Sequence, residues 1–225
     1  MRDNGAMGYF DLMTYLGEHF AGLELGPGLF YRWPFGIRFE IGLTSVPTRP
    51  AALFESAFSP SDTCVLIAKD WPVIGLSTPD RLRYLSLFRL LNDSDPAFAP
   101  MPEQLQNIFD SAFWRFPQQA ELQVAGEVEE GLDRFVLSWL ELPSRSFRYD
   151  LIFRAIGNTE HGESPSMSSD VFFLNRRTQT IFYMYDDRGG DMISTGRNAL
   201  LPIYKTFEDW VLEYDRPRIA AALNV

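Results

Sequence analysis

The sequence predicts a single α+β domain over residues 1–225, a mainly antiparallel sheet with helices packed on it. Three observations carry this. Strand-like stretches such as GIRFEIGL and VFFLN–RRTQ–TIFYMYD are bounded by short polar turns, as in hairpins. Helical spacings alternate with them irregularly, not in the strict order of a doubly wound parallel sheet. No repeat, low-complexity stretch or linker divides the chain, and only the loop 92–102 would serve as a break.

Taken in order, Phe10, Met13, Leu16 and Phe20 predict a helix over 9–20, and GLELGPG then breaks it. Ile37, Phe39, Ile41 and Leu43 fall on one face of a strand with Arg38 and Glu40 on the other, and LFYR (29–32) reads as the first arm of a hairpin. RPAALFESAF reads as a short helix started by proline. In DTCVLIAKDW five apolar residues run together at 64–68, which predicts a strand buried on both faces. Further helices are expected over 77–92 and 103–116. AELQVAGEV and DRFVLSWLEL read as an antiparallel pair joined by an acidic turn. SRSFRYDLIFRAIGN reads as a helix ended by Gly157-Asn158, and NTEHGESPSMSS as a polar, mobile surface loop. LLPIYKTFEDWVLEY and DRPRIAAAL complete the chain as two helices, with Pro217 in the first turn of the second.

Composition narrows the function. A 46% hydrophobic chain with 19 Phe has the means for a packed core. A formal charge of −10 repels phosphate backbones and argues against nucleic acid as the partner. Of 20 basic residues only Lys69 and Lys205 are lysine; arginine forks suit carboxylate or phosphate, although codon bias explains the skew as well. The single thiol, Cys64, sits in an apolar run and reads as a small buried hydrophobe, not a nucleophile or a zinc ligand. An N-terminus with acids where a signal peptide needs bases, and no apolar run near ~20 residues, predicts a soluble cytoplasmic protein away from membranes.

The stretch MYDDRGGD (184–191) concentrates charge. Its plain reading is a tight turn, with Gly189-Gly190 at positive φ and Asp186 and Asp187 capping nearby amides. Asp186, Asp187 and Asp191 would be hard oxygen ligands, yet Arg188 stands among them and no EF-hand spacing follows, so no metal is assigned. His19 and His161 are the only histidines, and no nucleophile elbow, phosphate loop or His-Glu-x-x-His occurs, so no catalytic residue is assigned. Glu40 with Asp186 or Asp187 is the one carboxylate pair placed for acid–base work. In RWPFGIRFE, Arg32 and Trp33 would stack a ligand or partner side chain and Arg38 would fork onto a carboxylate. The alternative is an outward Arg38–Glu40 ion pair. GEVEEGLD reads as a solvated turn or as a docking face for a basic partner. Trp114, Trp139 and Trp210 read as core.

The motifs GIRFE and YDDRG, with FFLNRRTQTIFYMYDDRGGDMIS and the Tyr-rich helix after it, resemble an uncharacterised bacterial domain family across nearly the whole chain. That family implies no activity. The late hairpin followed by Phe-Glu-Asp-Trp is also similar to the ends of cell-wall-regulator-like immunity proteins. The expectation is an acidic cytoplasmic interaction protein, specifically an immunity protein that binds and neutralises a basic, toxin-like protein. The alternative is a small-molecule-binding or hydrolytic enzyme. Either would use Arg32, Trp33, Arg38, Glu40, Asp186, Asp187, Arg188 and Asp191, with no cofactor implied and the oligomeric state left open.

Overall fold

The computed structural model describes residues 11–42, 47–70, 120–124, 133–167 and 169–225. Its strands are β1 (Gly36–Glu40), β2 (Thr63–Asp70), β3 (Ala120–Val124), β4 (Asp133–Pro143), β5 (Asp170–Asn175), β6 (Thr180–Met184) and β7 (Gly189–Ser194). They form one antiparallel sheet in the order β1-β7-β6-β5-β2-β4-β3. Helices α1 (Leu12–His19), α2 (Thr48–Ala57), α3 (Tyr149–His161), α4 (Arg197–Thr206) and α5 (Arg216–Leu223) accompany it, so the α+β expectation holds. No helix among the described residues is long and apolar enough to cross a membrane. The helices expected over 77–92 and 103–116, the loop 92–102, Leu43, Trp114 and most of GEVEEGLD lie outside the described residues.

The side-chain period of two divides each strand between two cores. Cys64, Leu66 and Ala68 of β2 join Phe173, Phe182 and Phe39 in a cluster that also takes in residues of α2, α3, α4 and α5. Val65 and Ile67 face the other way, toward Phe172, Leu174, Tyr183 and the Leu12, Leu16 and Phe20 side chains of α1 and its C-cap. A strand covered on both faces has no solvated side, which is why β2 reads as an unbroken apolar run. Trp139 is buried as expected, while Trp210 is only partly buried against the first core.

Four local expectations are corrected. LFYR is a 3-10 turn, Leu29–Arg32, because Gly28 enters it at φ 78 and the Asp191 carboxylate holds the Phe30 amide at 3.0 Å. Helix α3 runs through Gly157-Asn158 and ends at Gly162, φ 66; Gly157 is buried, and tertiary packing overrides a weak stop signal. The loop after it is tied down: Asn158 donates to the Pro165 carbonyl at 3.0 Å and the Met167 amide donates to Thr159 Oγ1 at 3.1 Å. The single helix expected over 200–214 stops at Thr206 and continues as 3-10 turns at Glu208–Trp210 and Glu213–Asp215. The chain leaves the helix there to pair with β1: Val211 bridges Phe39, and the Leu212 amide donates to the Arg38 carbonyl at 2.9 Å.

Candidate functional site

Alternation along β1 buries Ile37 and Phe39 in the first core and turns Arg38 to the second face. The register sets Arg38 opposite Asp191 of β7, and Asp191 opposite Tyr183 of β6. Arg38 Nε donates to Asp191 Oδ1 at 3.0 Å, while the Phe30 amide takes Oδ2. The Tyr183 hydroxyl donates to Asp170 at 2.7 Å, and Asp170 stands opposite Lys69 of β2, whose Nζ donates to the Leu25 carbonyl at 2.8 Å. A row of polar groups therefore crosses five adjacent strands on one face of the sheet. The carbonyl of Leu25 and the amide of Phe30 fasten the 22–34 segment over it.

Burial governs this row electrostatically. Asp191 is fully buried, and desolvation raises its pKa against the opposing pull of the Phe30 amide and Arg38. Burial alone would lower the Arg38 pKa, but Asp191, Tyr185 and Tyr31 outweigh it and hold it up. Desolvation lowers Lys69 and raises Tyr183 and Tyr185. The Arg38 guanidinium lies 4.8 Å from the centre of the Tyr31 ring and 5.1 Å from that of Tyr185. Tyr31 in turn donates to buried Asp215 at 2.9 Å, and Asp215 lies 3.9 Å from the Arg38 guanidinium. The result is a closed set of two carboxylates, one guanidinium and two tyrosines.

The 184–191 stretch is a turn, as its plain reading has it, but its glycines act differently. Asp186 Oδ1 accepts the Arg188 and Gly189 amides at 2.8 and 3.0 Å, and Arg188 also forks onto Asp186. The positive-φ glycines among the described residues are Gly22, Gly28, Gly42 and Gly162, so Gly189 and Gly190 are ordinary strand residues of β7. Gly189 is required by close approach: a Cβ there would lie 1.9 Å from the Tyr185 hydroxyl oxygen. Asp187 bonds His161 at 3.0 Å instead of capping the turn.

The structure thus separates most of the residues singled out from sequence. Arg38 and Asp191 meet, in place of the outward Arg38–Glu40 pair. Glu40 is exposed and lies 3.9 Å from Arg49, while Asp186 is taken by Arg188 and Asp187 by His161. Arg32 reaches the Glu24 carbonyl at 3.3 Å; Trp33 donates to the Ser194 carbonyl at 2.7 Å and packs 5.2 Å from Phe20, so the two do not form a joint stacking platform. Cys64 is fully buried, and burial pushes its thiol pKa well up, which removes it as a nucleophile. No group of three metal-binding side chains occurs among the described residues.

Sequence reasoning missed Tyr31, Lys69, Asp170, Tyr183, Tyr185 and Asp215. The one signal available was charge near the ends of otherwise apolar strands: Lys69 stands one residue before the end of β2 and Asp170 opens β5. Chemically the arrangement orients main chain and rings around a partly buried ion pair; each carboxylate already holds a cation, an amide or a hydroxyl.

Comparisons agree with the family expectation. The chain is 25% identical over 226 residues to the uncharacterized protein YnaE of Bacillus subtilis (strain 168), an alignment covering 91% of this chain and 98% of that protein. No solved structure matches. The family described as a domain of unknown function, DUF3885, matches residues 12–215, nearly the whole sheet-and-helix body, and the chain belongs to it.

Proposed function

We propose that this protein is an acidic binding module that neutralises a basic protein partner, in the manner of an immunity protein held against a bacterial toxin. The observation that carries this is the internal pairing of the charged residues: Arg38 is engaged by Asp191, Asp186 by Arg188 and two amides, Asp187 by His161 and Glu40 by Arg49. Groups committed to one another make a stable scaffold and a poor reacting centre. A chain of net charge −10 steers toward positively charged surfaces and gains association rate and selectivity from doing so.

The test is co-expression with each basic protein encoded beside the gene, followed by isothermal titration. A stoichiometric complex that weakens about tenfold between about 50 and about 300 mM salt supports the reading. No complex, or one indifferent to salt, overturns it.

A small-molecule or hydrolytic role has one observation in its favour, the raised carboxyl pKa of Asp191, a mark common at reactive sites. A thermal-shift screen with nucleotides and divalent ions tests it, since a ligand of the native state raises Tm.

A further inference from the structure

Around the outer edge of β1 the chain's own arginines lie on aromatic rings. Arg38 and Arg218 sit 4.8 and 5.3 Å from the centre of the Tyr31 ring, Arg218 5.0 Å from that of Phe30, and Arg49 5.3 Å from that of Trp210. Tyr214 belongs to the same neighbourhood, being next to Asp215, whose carboxylate takes the Tyr31 hydroxyl. Yet Tyr214 is 85% exposed, and among the described residues no ring, cation or hydrogen-bond partner meets it. It is the most exposed large aromatic described, and its neighbours are acidic. Glu213 beside it has an 86% exposed side chain, Glu208 and Asp209 are exposed, and Arg216 is already shared between Glu213 at 2.8 Å and Glu208 at 3.5 Å.

We propose that Tyr214, next to the exposed Glu213, is the docking point for an arginine side chain of a basic partner protein. This rests on the basic-partner reading above and says where that partner is held. A guanidinium laid on an exposed ring gains from the ring quadrupole and, unlike an ammonium, keeps its N–H fork free for a carboxylate at the rim. The site is also built in advance. The Asp215 amide donates to the Leu212 carbonyl at 3.0 Å, Asp215 itself is buried under Tyr31, and Arg216 pins Glu213, so little ordering remains for binding. Among the described residues no ring, cation or hydrogen bond engages the Tyr214 side chain, which leaves its ring available.

The experiment is an amide NMR titration of the full chain with the capped peptide Gly-Arg-Gly-Arg-Gly and its lysine counterpart. Expected are shifts confined to residues 208–216, tighter binding of the arginine peptide, a loss of about three- to tenfold in Y214A and near-full retention in Y214F, because the ring face carries the contact. Shifts centred elsewhere, or Y214A binding as well as the parent, overturn the docking point. Against a basic protein that forms the salt-sensitive complex, full affinity in Y214A overturns the docking point and leaves the basic-partner reading standing. Peptide held at Tyr214 with no protein complex formed by any neighbouring product supports the docking point and overturns that reading.

Discussion

The two faces of the sheet use the same strands and the same period of two, but they are filled with different chemistry. On the first, Phe54, Phe153, Phe173 and Phe182 pack edge to face and stacked at centroid separations of 5.2–6.2 Å. Apolar contact dominates that layer, with buried Asn175 donating to the Ala57 carbonyl of α2 at 2.8 Å at its margin. On the second, α1 and its C-cap supply Leu12, Leu16 and Phe20, and alongside them the sheet buries Asp191, Tyr183 and Lys69 and partly buries Arg38. An apolar layer fixes register through the period of two and close packing; a buried charge fixes it through one partner, which it must meet or go unpaired. The first face thus contributes bulk stability. The second fixes where the 22–34 segment lies.

This contrast can be broken from either side. F173A opens a cavity among three phenylalanines and costs about 4 kcal/mol in denaturant unfolding; the loss is read as a shift in the midpoint. On the polar face, D191A strands Arg38 and the Phe30 amide and costs about 3 kcal/mol, while the double variant R38M/D191L regains most of that. If the double variant is no more stable than D191A, the row is not a self-contained pair and the contrast fails.

A second ion pair, at the end of β5 beside α2, serves as a control outside the polar row. Asp62 is buried and accepts Arg177 at 2.6 Å and Asn175 at 2.8 Å. Its hydrogen bond from Arg177 leads in holding the carboxyl down from 3.8 to about 2. The folded protein therefore binds fewer protons than the unfolded chain between those values, and the stabilisation is complete above about pH 4 and lost as pH falls toward 2. D62N removes about 2 kcal/mol at neutral pH and flattens that acid limb of the stability profile. Y183F, which deletes the hydroxyl bonded to Asp170, costs about 1 kcal/mol. H161A comes last at about 0.5 kcal/mol or less, since the His161 ring is more than half exposed.

What was legible in the sequence was what is local. The apolar run at 64–68, the alternation at 37–41 and the hairpin around 176–179 each follow from contacts within a few residues, and each stands as expected. What was not legible depends on distant partners. Nothing near LFYR says that its amide meets a carboxylate 161 positions away, yet that bond sets it as a turn. Nothing near Trp210 says that Val211 will desert a helix for Phe39. Two adjacent glycines after two aspartates carry the composition of a positive-φ turn, but Gly189 is small so that Tyr185 can lie over it. Within the site, Asp191 and Arg38 were identified as charged residues worth attention; their contact required the pairing of β1 with β7.

The bridge from Val211 to Phe39 has a last consequence for behaviour at high concentration. A border strand with bare amides and carbonyls is a template on which further copies can polymerise. Here Val211 bridges Phe39 and Leu212 occupies the Arg38 carbonyl, so that margin of the sheet is interrupted by the chain itself and is a poorer seed for fibrils than a bare edge.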